Sequence, residues 1–254
     1  MHNRAWLFGC LTLLPLAAWA DDAPPPPQGV WLGKGQLGFL ASQGNTEATS
    51  ANAAIDMRMV SDPWEHKLHL DALYGKSADV VAAERWTAGW QSNYDFTPDV
   101  FGFGGLRYQH DEFSGFQYQA SETVGAGYKL INSNDTKLSL QAGVGYRELR
   151  PEDLIKGMNG AVVQRIPLAT DNGVVFTFGL DYTQAFTSTT SLSDKLLVEA
   201  GSGDTLITDT VALTVKMSTQ LALSVGYSLQ DNTTPPDGLK KIDSLETVNL
   251  VFSF

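Results

Sequence analysis

Cysteine, basic residues and long apolar runs are scarce in this sequence, and each scarcity excludes a class of protein. One cysteine in 254 residues rules out a fold held together by disulfides. Lys and Arg number 17 against 28 Asp and Glu, so the basic surplus of a nucleic-acid binder is missing and no nucleic-acid partner is expected. Beyond residue 20 no apolar run reaches the roughly 18 residues of a membrane helix. Aromatic side chains, at 10%, and β-branched residues are plentiful, which argues against disorder, and glycine accounts for 24 residues.

The first 30 residues predict export and a spacer. Residues 1–20 have a basic start at Arg4, an uncharged apolar run and an Ala18-Trp19-Ala20 cleavage pattern, which together indicate a secretory signal peptide. Cys10 lies too early in that run for a lipoprotein anchor. Residues 21–30 contain four consecutive prolines and predict a stiff, extended periplasmic linker. A single β-barrel domain is then expected over residues 31–254.

Beyond residue 30 the sequence alternates between apolar and polar residues with a period of two. In residues 84–96, for example, Trp86, Trp90 and Tyr94 share one parity, whereas Arg85 and Asp95 share the other. Successive side chains of a strand point to opposite faces, so each such segment has one apolar and one polar face. Twelve strands are predicted: 34–42, 48–60, 64–75, 84–96, 100–110, 117–129, 136–147, 159–170, 174–186, 205–217, 219–230 and 243–254.

The length of these strands suits a membrane. At about 3.3 Å per residue and a tilt near 40°, a typical predicted strand rises roughly 25–30 Å, enough to cross the hydrocarbon band. The predicted connections alternate between short turns and longer loops at 76–83, 111–116, 148–158, 187–204 and 231–242, which is typical of outer-membrane barrels.

Three features weaken this assignment. Residues 189–200 also alternate, and we interpret them as a hairpin outside the membrane, because thirteen strands would leave the two ends on opposite sides. Pro167 cannot donate a ladder hydrogen bond, so strand 159–170 is the least secure. Glu122 has the apolar parity, which suggests a position near the outer rim or at a bulge.

The fold class predicted is therefore all-β, a transmembrane antiparallel up-and-down β-barrel of about twelve strands. Alternation alone also fits a secreted β-sandwich with an aromatic core. The export signal, the nearly charge-free apolar parity, and Trp and Tyr residues near strand ends favour the membrane barrel, because interfacial aromatic belts lie at those heights. In lipid, a closed barrel also leaves no unpaired strand edge.

Several short motifs resemble one known family. They are Trp31-Leu32-Gly33, the Gly44-Asn45-Thr46 turn, Gly125-Ala126-Gly127-Tyr128, Gly143-Val144-Gly145-Tyr146, and Pro235-Pro236-Asp237-Gly238 with Asp243. In this order they resemble the salt-induced outer membrane proteins, a group of unknown function. The resemblance implies a location in the bacterial outer membrane, among its lipid and lipopolysaccharide. It also implies that Phe254, with Phe252, forms the signal read by the barrel-assembly machinery. It implies no substrate and no catalytic residues.

The polar parity supplies the candidate functional residues, which would line the lumen. The lumen and selectivity candidates are Asp56, Arg58, Lys67, Asp71, Arg85, Arg107, Lys137, Arg147 and Asp181; the same parity holds Lys34, His69, Asp95 and Lys216. Two interpretations stay open. The lumen could be a narrow channel for ions or small solutes, or the charges could pair and plug a structural, salt-responsive barrel.

Catalysis and metal binding have little support in the sequence. There is no G-x-S-x-G motif, and His66 and His69 lie three residues apart on a strand, hence on opposite faces. His110-Asp111-Glu112 at a strand end leaves a surface enzyme as the least favoured alternative. Residues 102–105 are glycine-rich but precede no helix, so close packing or a bulge explains them better than a phosphate loop. We therefore predict no enzyme activity, no cofactor and no metal.

Overall fold

The computed structural model describes residues 27–42, 48–77, 80–157, 161–236 and 239–254. The predicted signal peptide, most of the proline-rich linker and the Gly44-Asn45-Thr46 turn lie outside these residues. Within the described part of the chain every regular element is a strand. No helix in that part is long and apolar enough to cross a membrane.

Thirteen strands follow one another along the chain. They are β1 (Trp31–Ser42), β2 (Ala48–Ser61), β3 (Trp64–Ser77), β4 (Val80–Asp95), β5 (Val100–Asp111), β6 (Phe116–Asn132), β7 (Thr136–Lys156), β8 (Val162–Pro167), β9 (Asp171–Ala185), β10 (Thr190–Ala200), β11 (Thr205–Lys216), β12 (Leu221–Asn232) and β13 (Ile242–Ser253).

Twelve of these strands close into an antiparallel barrel, which confirms the predicted fold class. Each barrel strand pairs with its neighbours in sequence, β7 pairs with β9, and β1 pairs with β13 to close the ring. At the closing seam the Gly33 amide donates to the Phe254 carbonyl at 2.8 Å, and the Phe254 amide donates back at 3.0 Å. We call the rim that holds Trp31 and Phe254 the near rim and the opposite one the far rim.

One predicted spanning strand is wrong, and one predicted hairpin is a spanning strand. Within residues 161–170, the part of this segment that the structure describes, the strand is the short β8, which pairs with the projecting end of the 21-residue β7 and with no other described strand. Residues 189–200 contain β10, which pairs along its length with β9 and β11. The total of twelve is right because the two errors cancel. Pro167 correctly indicated that this strand was the least secure, because proline has no backbone N–H to donate to a strand ladder.

The predicted contrast between short and long connections is smaller in the structure. The segments 112–115, 186–189 and 201–204 are all short, so the predicted long loop at 187–204 is wrong. The long far-rim features are the β7–β8 hairpin and the β12–β13 connection at 233–241. The reason is that the strands extend further than the alternation indicated, into segments predicted as loops.

The apolar parity lies on the outside of the barrel and the polar parity on the inside. Trp86 is 45% exposed and Phe178 is 41% exposed, whereas Arg147 is 5% exposed. Buried polar residues such as Asn93, Gln109 and Asn249 lie on the opposite parity from the exposed apolar ones. This is the arrangement of a barrel that faces acyl chains and encloses polar groups.

Aromatic side chains group at two heights on the exterior. Near the near rim, the Trp64 and Tyr94 rings lie 5.0 Å apart between centroids, and Phe252 and Phe254 stack at 6.4 Å. Near the far rim, Tyr108 stacks on Trp86 at 5.0 Å. Such belts mark the two interfaces of a membrane-spanning band.

The exterior also carries carboxylates where few were expected. Glu122 is exposed and lies in an unbroken stretch of ladder opposite Leu106, so of the two positions suggested for it the bulge is wrong. Asp194 and Asp209 share the outward parity of β10 and β11. A carboxylate on a lipid-facing position costs stability, less than Lys or Arg would.

Glycines let inward aromatic rings lie flat against the wall. A Cβ added to Gly127 would lie 2.1 Å from the Phe101 ring, and one added to Gly125 would lie 2.7 Å from Phe103. Phe101 and Phe103 are almost fully buried in this way. The glycines of the motif on β6 therefore let the Phe101 and Phe103 rings lie along the barrel wall, outside the centre of the lumen. Gly102, in the segment 102–105, is likewise explained by close packing, against Phe96.

Candidate functional site: the charged lumen

Nearly all the cations of the barrel strands point inward. The ten inward Lys and Arg residues are Lys34, Arg58, Lys67, Arg85, Arg107, Lys129, Lys137, Arg147, Lys195 and Lys216. Among the barrel-strand cations whose side chains the structure describes, the exceptions are at far-rim ends: Lys76 lies 5.9 Å from the outward Tyr74 ring, and Arg150 donates to Thr170. Although the chain is acidic overall, the described part of its lumen is therefore far richer in cations than its exterior.

Strands β2 and β3 carry a network in which charges are matched. Glu65 forms ion pairs with Arg58 and with Lys67, the latter at 3.5 Å. His69 lies between two carboxylates, 2.8 Å from Asp56 and 3.1 Å from Asp71. The predicted candidates Asp56, Arg58, Lys67 and Asp71 therefore come together, held by Glu65 and His69.

The same pattern continues on the neighbouring strands. Lys129 of β6 lies 2.7 Å from Asp95 of β4, and Asn93 donates to Glu65 at 2.9 Å. We call this arc the paired wall. Its charged members are Asp56, Arg58, Glu65, Lys67, His69, Asp71, Asp95 and Lys129. In it each cation offsets a carboxylate, so little net charge remains.

The rest of the near half of the lumen has a different character. We call it the lysine wall: Lys34 on β1, Lys137 on β7, Lys195 on β10 and Lys216 on β11. All four side chains are exposed, and among the described residues none forms an ion pair within 4 Å. Two of the four lie opposite an inward carboxylate in the ladder, Lys195 opposite Asp181 and Lys34 opposite Asp56 of the paired wall, whereas Lys137 and Lys216 do not. This wall therefore has an excess of positive charge.

Side chains from separate walls meet in the far half of the lumen. Arg107 of β5 lies 3.2 Å from Glu199 of β10. Gln109 of β5 donates to Gln230 of β12 at 3.3 Å, and these two strands lie on opposite sides of the ring. Gln109 is 2% exposed and Glu199 is 1% exposed, so the layer is closely packed. We call Arg107, Gln109, Glu199 and Gln230 the constriction layer.

The remaining predicted arginines lie above or beside this layer. Arg147 donates to the Glu199 carbonyl at 3.3 Å and forms an ion pair with Asp204 in the 201–204 turn. Burial raises the pKa of the Asp204 carboxyl, although the Arg147 charge acts in the opposite direction. Arg85 pairs in the ladder with Asp111, and its Nε is buried with no hydrogen-bond partner among the residues that the structure describes.

Far-rim segments from different sides of the barrel meet over the mouth. A Cβ on Gly115 would lie 2.5 Å from Leu239 and 2.9 Å from Pro236, so the β5–β6 turn and the β12–β13 connection are in contact. Arg165 of β8 forms ion pairs with Glu112 and Glu152. The projecting hairpin is thereby fixed to the β5–β6 turn.

The alternative sites considered from sequence do not assemble. His66 lies on the outside, stacked on Trp64, whereas His69 lies inside, as their spacing predicted. His110 contacts Glu112 at 2.9 Å on the exterior. In the part of the chain that the structure describes, no three His, Cys, Asp or Glu residues are grouped to hold a metal.

Some lumen residues were missed by sequence reasoning. Lys195 and Glu199 lie in the segment interpreted as an external hairpin, and Glu65 and Gln109 were not singled out. The weak alternation of Leu192, Leu196 and Val198 was the one signal that could have identified β10 as a barrel strand.

Comparison with known proteins agrees on the fold. The NanC porin matches with a TM-score of 0.50 at 10% identity, over 88% of this chain and 98% of that chain. An outer membrane channel from Pseudomonas putida F1 matches with a TM-score of 0.50 at 11% identity, over 94% of this chain and 100% of that chain. No curated protein sequence matches the chain. The closed barrel with its apolar exterior is that of a bacterial outer-membrane protein.

A family model also matches almost the whole barrel. The match covers residues 35–254, from β1 to Phe254. It includes the glycine-aromatic motifs of β6 and β7 and the 233–241 connection that carried the resemblance. The chain belongs to the family described as protein of unknown function, DUF481.

Proposed function

We propose that this protein is a narrow outer-membrane channel for ions or small solutes. The observation that carries the proposal is the inward placement of ten Lys and Arg side chains in a closed barrel with an apolar exterior. Ionised side chains need water or partners, and the four residues of the lysine wall have no ion-pair partner within 4 Å among the described residues. Water in the near half of the lumen supplies that solvation. The proposal assigns no catalytic residue.

The constriction layer sets the width of the proposed pathway. Arg107, Gln109, Glu199 and Gln230 are all polar, so the layer can hydrate and need not exclude ions. Shortening two of these side chains should widen the pathway without disturbing the exterior. We therefore expect Gln109→Ala with Gln230→Ala to raise single-channel conductance about twofold.

A plugged structural barrel is the second candidate, and the constriction layer itself is the observation that favours it. If the contacts between Gln109 and Gln230 and between Arg107 and Glu199 never open, the barrel is closed to solutes. Its role would then lie in the integrity of the envelope, with the response to salt that the family resemblance implies. The binding of outer-membrane lipid and lipopolysaccharide, and the assembly signal at Phe252 and Phe254, apply equally to both candidates and stay predictions.

Planar-bilayer recording on refolded protein distinguishes the two candidates. Heat-modifiable migration on a denaturing gel first confirms that each preparation is folded. Discrete conductance steps in the wild type, enlarged in the glutamine double variant, are the expected result. Silence of the folded wild type with conduction by the double variant identifies a plugged barrel, and silence of both rejects the channel.

A further inference from the structure

Charge is distributed unevenly around the near half of the lumen. On the paired wall the cations are compensated by Glu65, Asp95 and the two carboxylates beside His69. On the lysine wall Lys195 lies opposite Asp181 and Lys34 lies opposite Asp56, whereas Lys137 and Lys216 lie opposite no carboxylate in the ladder. The imbalance is therefore local, and it faces the space through which a solute would pass.

The lysine wall presents its charges to the lumen from neighbouring strands. Lys195 of β10 and Lys216 of β11 both lie on the inward parity of adjacent strands, and both side chains are exposed. Lysine is a flexible, strongly hydrated point charge, so it attracts anions without fixing their shape.

From this geometry we infer that the lysine wall binds and selects small anionic solutes, with carboxylate or phosphate groups as the recognised chemistry. The inference deepens the proposed channel function and rests on it. Anions entering from the near rim meet Lys34, Lys137, Lys195 and Lys216 before the constriction layer. There Arg107, although paired with Glu199, continues the line of donors. A lumen lined in this way favours chloride over potassium and retains multivalent anions longer than neutral solutes.

The first test is the reversal potential of single channels in a potassium chloride gradient. The wild type should pass chloride in preference to potassium. Each of Lys195→Gln and Lys216→Gln should lower that permeability ratio about twofold, because each removes a unit charge within several ångströms of the passing ion. Lys76→Gln is the matched control, since it removes the same charge from the exterior. A cation-preferring wild type, or equal shifts in Lys76→Gln and Lys195→Gln, would overturn the inference.

The second test does not require conduction. A water-soluble amine-reactive reagent is applied to the refolded barrel with citrate or with an equal concentration of sucrose, and labelling is followed by mass spectrometry. Citrate should slow labelling of Lys195 and Lys216 severalfold and leave Lys76 unchanged. A silent barrel with this protection would reject the channel and keep the anion site. A conducting barrel without the protection would keep the channel and reject the site.

Discussion

The two walls of the lumen both carry ionised side chains, but they accommodate the charges differently. On the paired wall, Glu65 forms ion pairs with two cations and accepts a hydrogen bond from Asn93. On the lysine wall, Lys195 and Lys216 lie exposed with no ion pair within 4 Å among the described residues. A paired charge contributes to stability but is not available to bind a solute. An exposed, unpaired charge contributes little to stability and stays available to a solute.

The largest effect on stability should come from breaking the paired wall. Glu65→Leu leaves Arg58 and Lys67 without their carboxylate, and the Glu65 side chain is only 15% exposed. We expect the free energy of unfolding to fall by about 2 kcal/mol. Urea unfolding of the protein in lipid vesicles, followed by tryptophan fluorescence, measures it. A loss no greater than that of Lys195→Met would remove the distinction between the walls.

The second-largest effect on stability should come from the packing of Phe101 next to the paired wall. A Cβ at residue 127 would collide with the Phe101 ring, which in turn lies 5.9 Å from the Lys129 ammonium. Gly127→Ala should therefore destabilise the barrel by about 1.5 kcal/mol through overpacking. Gly35→Ala is the matched control, because a Cβ there meets nothing within 4 Å. Equal unfolding curves for the two variants would show that the ring moves freely.

A substitution on the outward face of β6, a strand of the paired wall, should raise the free energy of unfolding. Glu122 is an exposed carboxylate on the outward face of β6, next to Leu106 in the ladder. Replacing it by leucine should raise the free energy of unfolding by about 1 kcal/mol, because a lipid-facing charge is removed. The same urea titration in vesicles provides the value. A destabilised Glu122→Leu protein would indicate that this carboxylate faces a polar partner and not lipid.

The smallest effect is expected on the lysine wall. Lys195→Met should change the free energy of unfolding by no more than about 0.5 kcal/mol, since no ion pair within 4 Å is lost. Its effect should instead appear in ion selectivity. A loss of stability comparable to that of Glu65→Leu would mean that Lys195 is structurally engaged, for instance with Asp181 opposite it in the ladder.

The alternation of side chains was predictable from sequence because a strand repeats every two residues. It placed Trp86 outside and Arg147 inside correctly. The identity of the spanning strands was less accessible. Residues 159–170 and 189–200 both alternate weakly. Which of them enters the barrel depends on whether β9 pairs with the near-rim part of β7. That pairing is a long-range event that local periodicity does not encode.

The contacts between polar and charged side chains in the lumen were not predictable from the sequence. Arg107 and Glu199 are 92 residues apart in sequence, and Gln109 and Gln230 are 121 residues apart. Their contacts depend on register and on the shape of the closed ring. The sequence therefore indicated which side chains face the lumen, and the structure was needed to tell the matched charges from the unmatched ones.

Thiol accessibility along β10 shows directly whether ionised side chains line a water-filled interior. Single substitutions Ser193→Cys and Lys195→Cys place a thiol on the inward parity, and Leu192→Cys and Leu196→Cys place one on the outward parity. A charged, membrane-impermeant thiol reagent is applied to the protein in lipid vesicles. The account predicts rapid labelling at 193 and 195 and protection at 192 and 196. Protection at all four positions, or labelling of the outward pair alone, would contradict it.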